Sequence, residues 1–132
     1  MTRAKAQLLI LDDEERIRQL LLDFFEDYDE FSARACESAE AALEELARQP
    51  ADLGIVDMHL PGMDGQHFAL AAHACGLCRR FLLHTGSMDF ALTPELLRIG
   101  ITSADVFLKP ADTAELLARA RTLLGLPGDE TS

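Results

Sequence analysis

The sequence has no tryptophan, one tyrosine and three cysteines in 132 residues, and aromatic residues make up only 6% of it. Because three is an odd number, the cysteines cannot all pair in intramolecular disulfide bonds. Cys75 and Cys78 form a C-x-x-C spacing, but a zinc site needs four ligands, and the third cysteine, Cys36, falls on a distant predicted strand. We therefore expect free thiols rather than a disulfide framework or a zinc site.

Basic residues are also scarce, since 12 lysines and arginines stand against 23 aspartates and glutamates, for a formal net charge of −11. This charge opposes approach to a nucleic-acid backbone or an anionic membrane surface, so we expect neither as a direct partner. The chain also lacks an apolar run near the ~20 residues of a membrane helix, and residues 1–7 lack the apolar stretch of a signal peptide. These features predict a cytoplasmic protein.

The apolar content is sufficient for one compact domain, because 48% of the residues are hydrophobic. We expect a single domain over residues 1–126. The polar residues 127–132 are expected to be a loose tail or the start of a truncated linker.

Short apolar strands alternate with helical patterns along the chain. The predicted strands are 8–11, 31–36, 53–56, 81–83 and 106–108. Apolar residues recur at helical spacing over 17–28, 39–46, 68–75 and 116–124, and Thr93-Pro94-Glu95 has the cap, N1 proline and acid of a short helix start. Ser38, and either Asp112 or Thr113, are suited to cap the helices that follow them. This alternation predicts an α/β fold, with helices on both faces of a parallel sheet.

Polar and charged residues follow these strands at their carboxyl ends. Asp12 and Asp13 follow the first strand, Asp57 follows the third, Thr85 comes shortly after the fourth, and Lys109 follows the fifth. Ligands of open parallel α/β sheets bind outside the carboxyl ends of the strands. We therefore expect these residues to form one site, although up to 97 positions separate them in the sequence.

The residue types indicate phosphoryl chemistry supported by a metal ion. Three neighbouring carboxylates repel one another unless a cation compensates, and Mg²⁺ prefers oxygen ligands of this kind. Lys109 and the hydroxyl of Thr85 are suited to bind a phosphoryl group, and a carboxylate can itself attack phosphorus to form an aspartyl phosphate. Taken singly, each of the three aspartates also has a structural explanation, because aspartates are common in the first turn of helices and in loops.

With these residues the chain resembles the receiver domain of two-component response regulators, over about residues 7–124. The resemblance rests on Leu-Asp-Asp-Glu at 11–14, Asp57, Leu-Pro-Gly-Met-Asp-Gly at 60–65, Thr-Gly at 85–86 and Lys-Pro at 109–110. It identifies 1–126 as a receiver domain. It implies a flavodoxin-like three-layer sandwich, in which a doubly wound five-stranded parallel sheet of order 2-1-3-4-5 is covered by five helices.

The resemblance also implies a function, that of the phosphoacceptor switch of a two-component phosphorelay. Asp57 would accept a phosphoryl group from a phosphohistidine of a sensor histidine kinase or a histidine phosphotransfer protein. Mg²⁺, or alternatively Mn²⁺, would be held by Asp13, Asp57, the backbone carbonyl of His59 and, through water, Asp12. Lys109 would bind the carboxylates and then the phosphate, and Thr85 would supply the switch hydroxyl.

The output implied by the resemblance is a change in the surface formed by helix 4, strand 5 and helix 5, read by an output domain or an effector protein. The protein would catalyse only its own phosphorylation and dephosphorylation. Val106 stands where the family usually has an aromatic switch residue, and Phe107 comes one place later. Because side chains alternate across a strand, Phe107 cannot substitute for it, and we expect Phe107 in the core.

The histidines are less informative, apart from His59. It follows Asp57 by two positions, in a loop where its side chain could control the access of water to an acyl phosphate. We expect His59 to tune the lifetime of the phosphoryl group. We expect His84, which precedes Thr85, to pack near the end of the sheet.

Three other functions are compatible with part of the pattern. A phosphatase of the haloacid dehalogenase type also uses an aspartate nucleophile and magnesium. Such phosphatases resemble one another in having a second aspartate two residues after the nucleophile, and this chain has His59 at that place. A flavodoxin-like cofactor binder needs a hydroxyl-rich phosphate loop after the first strand, whereas residues 12–15 are all acidic. The third alternative is a receiver-like interaction module that is not phosphorylated.

Overall fold

The computed structural model describes residues 4–126 and contains a five-stranded parallel sheet of order β2-β1-β3-β4-β5. The strands are β1 (Ala6–Leu11), β2 (Phe31–Cys36), β3 (Ala51–Asp57), β4 (Cys78–Thr85) and β5 (Val106–Leu108). The helices are α1 (Glu15–Glu26), α2 (Ala39–Arg48), α3 (Gly65–Ala74), α4 (Pro94–Arg98) and α5 (Thr113–Leu124). The predicted fold class and strand order are therefore confirmed, while the predicted tail, 127–132, lies outside the described residues.

Helices cover both faces of the sheet, and the alternation of side chains along the strands divides the core in two. Leu8 and Ile10 of β1 point to one face, where they pack with Phe25 of α1 and Leu116 of α5. The intervening Leu9 and Leu11 belong to the core on the other face, which is completed by α2, α3 and α4. The central strands are buried on both sides, and because the sheet is parallel their carboxyl ends lie at one edge.

Side-chain caps fix where several helices begin, as the sequence predicts for three of them. Ser38 Oγ accepts a hydrogen bond from Ala41 N, Thr93 Oγ1 from Leu96 N, and Asp112 Oδ1 from Ala114 N. Asp64 caps α3 in the same way. These bonds satisfy backbone donors that have no partner within the helix.

The prediction for the first helix is wrong about where the helix ends and about the burial of one residue of its apolar stripe. The spacing predicts a helix as far as Tyr28, but α1 ends at Glu26, and the N–H of Asp27 bonds to the carbonyls of Phe24 and Phe25. The ring of Tyr28 still packs 5.3 Å from that of Phe24. Leu20 belongs to the stripe but is 56% exposed, because the covered face of α1 is narrower than its apolar stripe.

Among residues 4–126, no helix combines the length and the apolar character needed to cross a bilayer.

Candidate functional site

Three aspartates meet at the carboxyl edge of the sheet. Asp57 is the last residue of β3, and Asp12 and Asp13 directly follow β1, the neighbouring strand. One carboxylate oxygen from each lies within 4.8 Å of the others. Asp12 and Asp57 are buried, with 1% and 3% exposure, while Asp13 is exposed to solvent. The cluster is thus a buried acidic pair with a third carboxylate at its mouth.

Lys109 brings a positive charge into this cluster from the end of β5. Its Nζ lies 2.9 Å from Asp12 Oδ2, 3.3 Å from Asp57 Oδ2 and 3.4 Å from Glu14 Oε2. Its backbone N–H donates to the carbonyl of Thr85 at 2.7 Å, which fixes the chain where it leaves the sheet. The predicted site residues on three strands are therefore in contact, and Glu14 is a partner that the sequence pattern did not predict.

The electrostatics of the cluster differ between its acid and its base. Burial raises the pKa of Asp57, the N–H of His59 opposes this rise, the charge of Asp12 adds to it and Lys109 opposes it. Burial alone would lower the pKa of Lys109, but its hydrogen bonds and charge interactions with Asp12 and Asp57 outweigh burial and raise it. Lys109 is therefore firmly cationic, whereas burial outweighs the contacts that stabilise the Asp57 carboxylate and leaves the pKa of Asp57 raised.

The loop after β3 holds Asp57 in place. The backbone N–H of His59 donates to Asp57 Oδ1 at 3.0 Å, while the imidazole of His59 is exposed. Gly65 begins α3 directly against this segment, because a Cβ at that position would collide with the carbonyl oxygen of Asp57 and lie 2.8 Å from Met58 Cα. Only glycine permits this close approach of helix and strand.

Thr85 lies at the end of β4 and faces the opposite side of the sheet from His84. It is 1% exposed, and its Oγ1 accepts a hydrogen bond from Ser87 N at 3.1 Å. The register of β4 and β5 places Val106 on the face of Thr85 and Phe107 on the other. Phe107 is partly buried and packs against the core beneath α1 and α5.

A groove lies beside Thr85. Its volume is about 210 Å³, and it is lined by Thr85, Ser87, Met88, Phe90, Val106 and Leu108.

His84 packs at the end of the sheet, in register with Asp57 on β3. It is 3% exposed, and neither ring nitrogen has a hydrogen-bond partner among residues 4–126. Burial, and secondarily the charge of Lys109, lowers the pKa of His84 to about 4. The imidazole is therefore neutral near pH 7. The sequence pattern predicts the position of this residue but not the burial that keeps it uncharged.

The donor set fits a hard divalent cation. Carboxylate oxygens are the ligands that Mg²⁺ prefers in proteins, and the three aspartates provide carboxylate oxygens that lie within 4.8 Å of one another. The buried Asp12 Oδ2 lies 2.9 Å from Lys109 Nζ. A carboxylate oxygen has two lone pairs, so Asp12 can also accept a hydrogen bond from a metal-bound water.

Comparison with known proteins agrees with this geometry. The family model "Response regulator receiver domain" matches residues 8–121. The transcriptional regulatory protein AruR of Pseudomonas aeruginosa is 32% identical over 122 residues, which cover 89% of this chain and 49% of AruR. The response regulator protein FleR of the same organism is 37% identical, over 95% of this chain and 26% of FleR. The chain spans half or less of the length of these two relatives.

Solved structures share the fold over most of the chain. The signal receiver domain of an HD domain-containing protein from Pseudomonas fluorescens has a TM-score of 0.76 at 28% identity, and covers 92% of this chain and 96% of that one. The chemotaxis protein CheY4 of Vibrio cholerae has a TM-score of 0.77 at 23% identity, and covers 91% and 99%.

Proposed function

Because the chain belongs to the response regulator receiver domain family, we propose that it is a phosphoacceptor switch. A phosphohistidine of a sensor histidine kinase or a histidine phosphotransfer protein donates the phosphoryl group, and Asp57 accepts it. The observation that carries this proposal is the position of Asp57, a buried carboxylate 3.3 Å from the ammonium group of Lys109 at the edge of an acidic cluster. An anionic nucleophile and a cation to balance the transferred charge thus lie side by side.

In the proposed transfer, a carboxylate oxygen of Asp57 attacks phosphorus, and a P–O bond forms as the P–N bond to the donor imidazole breaks. The imidazole leaves with the electron pair of that bond. Lys109 then exchanges one of its carboxylate contacts for a contact with a phosphoryl oxygen. The hydrogen bond from His59 N–H keeps the Asp57 carboxyl group oriented during the attack.

Asp13, Asp57, the backbone carbonyl of His59 and, through water, Asp12 would hold Mg²⁺, or alternatively Mn²⁺. The ion would offset the charge of three carboxylates and of the phosphoryl group. The support for this proposal is the cluster of three carboxylate oxygens within 4.8 Å of one another.

The proposed switch begins at Thr85. Its hydroxyl turns toward the phosphoryl oxygens, which breaks the hydrogen bond that Ser87 N now donates to Thr85 Oγ1. The loop from Gly86 to Leu92 then rearranges next to α4 and β5. We propose that the surface of α4, β5 and α5 is what a partner reads, either an output domain or a separate effector protein.

The chain itself would turn over no metabolite, and would catalyse only its own phosphorylation and dephosphorylation. Incubation with acetyl phosphate and MgCl₂, followed by intact mass spectrometry, tests the proposal. We expect the wild type to gain the mass of one phosphoryl group, and we expect no gain for Asp57→Asn or in excess EDTA. A folded wild type that gains nothing would favour an interaction module that is not phosphorylated, and steady hydrolysis of a phosphomonoester would favour a phosphatase.

A further inference from the structure

We propose that Glu14 is an electrostatic gate of this site, which holds Lys109 at rest and discriminates against small anionic phosphodonors. The proposal rests on the proposed function and specifies the class of donor that the site accepts. The observation behind it is the third carboxylate on Lys109, at 3.4 Å from Nζ, contributed by a residue 95 positions away in the sequence.

The three carboxylate partners of Lys109 differ in their environment. The side chains of Asp12 and Asp57 are 2% and 3% exposed, whereas that of Glu14 is 61% exposed. An ammonium group has three N–H donors, so these partners can occupy all of them. An incoming phosphoryl group must therefore displace a carboxylate from Lys109. Glu14 is the carboxylate that can most easily move into solvent, because its side chain is already exposed.

Hydrogen bonds on both sides of Glu14 hold its backbone at the start of α1, and from there its side chain reaches Lys109. Its N–H donates to Asp12 Oδ1 at 2.9 Å, and its carbonyl accepts from Ile17 N and Arg18 N at 3.1 Å each. Glu14 occupies the N-cap position of α1, yet its side chain makes no capping hydrogen bond. The carboxylate reaches across to Lys109 instead of stabilising its own helix.

The neighbouring Glu15 provides a matched control. It is exposed like Glu14 and belongs to the same run of acidic residues, but it has no ion pair or hydrogen bond within residues 4–126 beyond those of its own helix. A general effect of negative charge on an anionic donor would involve both residues. An effect that acts through Lys109 would involve Glu14 alone.

The consequence for a donor follows from its charge. Acetyl phosphate transfers its phosphoryl group when the P–O bond to acetate breaks and acetate leaves with the electron pair. Phosphoramidate transfers its phosphoryl group when its P–N bond breaks and ammonia leaves with the electron pair. Because its nitrogen is protonated to an ammonium group, phosphoramidate has one negative charge less than acetyl phosphate. Repulsion by Glu14 therefore acts more strongly on acetyl phosphate. A phosphohistidine protein that brings a cationic side chain to Glu14 would remove this repulsion and release Lys109.

The test compares the phosphorylation rates of wild type, Glu14→Gln and Glu15→Gln with both donors at saturating Mg²⁺. We expect Glu14→Gln to raise the rate with acetyl phosphate about two- to fivefold, the range for one exposed ion pair. The gain with phosphoramidate should be smaller, and Glu15→Gln should stay near the wild-type rate with both donors. Glu14→Ala should change the rate in the same direction, and circular dichroism checks that each variant is folded.

Mg²⁺ affinity, measured by isothermal titration, separates this effect from an effect on the metal. Removing the negative charge of Glu14 should leave Mg²⁺ binding equal or weaker, while phosphorylation becomes faster. An equal gain for Glu15→Gln, an equal gain with both donors, or no gain would overturn the gate but leave Asp57 as the phosphoacceptor. A wild type that no donor phosphorylates would overturn the proposed function, and the gate with it.

Discussion

The buried imidazole of His84 makes the stability of the fold depend on pH, and His84→Leu should remove that dependence. His84 is 3% exposed, and its ring nitrogens have no hydrogen-bond partner within the described residues. Leucine has a comparable size and no polar atoms to leave unsatisfied. At pH 7.5, where the imidazole is neutral in both the folded and the unfolded chain, we expect the variant to be at least as stable as the wild type.

The sign and size of the acid effect follow from the lowered pKa. The pKa of His84 is about 4 in the folded protein, against an ordinary value of 6.5. Below pH 6.5 the unfolded chain takes up a proton that the folded chain refuses, so the free energy of unfolding falls by about 1.4 kcal/mol per pH unit until the pH approaches 4. Between pH 7.5 and 5.0 this amounts to about 2 kcal/mol.

Urea unfolding at these two pH values, in EDTA and followed by circular dichroism, measures this difference. We expect the wild type to lose about 2 kcal/mol more than His84→Leu between pH 7.5 and 5.0. Asp57, whose raised pKa acts in the opposite direction, is present in both proteins and cancels in the comparison. His73→Gln, at an exposed position of α3, serves as the control and should behave as the wild type. An equal loss for wild type and His84→Leu would refute the reasoning.

Other predictions concern the local packing of the fold and the loop next to the site. Gly65→Ala should destabilise the protein by about 2 to 3 kcal/mol in urea unfolding, because the new Cβ collides with backbone; an unchanged midpoint would contradict the close approach of α3 to Asp57. Asp112→Ala removes a cap that accepts from two N–H groups and should cost about 1 kcal/mol by the same measurement, a loss that Thr113→Ala should not reproduce. His59→Ala should change the rate at which phosphorylated protein loses its phosphoryl group, and an equal rate in both proteins would show that this side chain does not control water.

Hydrophobic patterns predicted well which strands and helices form, and predicted less well where each one begins and ends. The structure gives β2 and β5 the bounds that the sequence predicts, because both are closed by polar residues or turns. In contrast, β4 begins at Cys78, three residues before the predicted start. Arg79 and Arg80 are exposed, but their backbone continues the ladder, in which Arg80 is in register with Leu53. An apolar pattern contains no information about such backbone bonds.

The same distinction applies to the site. A general rule of parallel α/β sheets is sufficient to predict from the sequence that four residues lie at one edge of the sheet, because strand ends determine their backbone positions. These residues are Asp12, Asp13, Asp57 and Lys109. The contact of Glu14 with Lys109 depends instead on the reach and direction of two long side chains from separate elements. The run of acidic residues at 12–15 gives no sign of which carboxylate the lysine binds.

Chemical trapping of the phosphorylated residue is the most direct test of the central claim. The protein is incubated with acetyl phosphate and Mg²⁺, reduced with borohydride, which converts an acyl phosphate to an alcohol, and then digested for peptide mass spectrometry. We predict homoserine in place of aspartate at position 57 and unmodified aspartate at positions 12 and 13. Modification at either of those two positions, or a peptide that keeps Asp57 intact while the protein carries phosphate, would contradict the account.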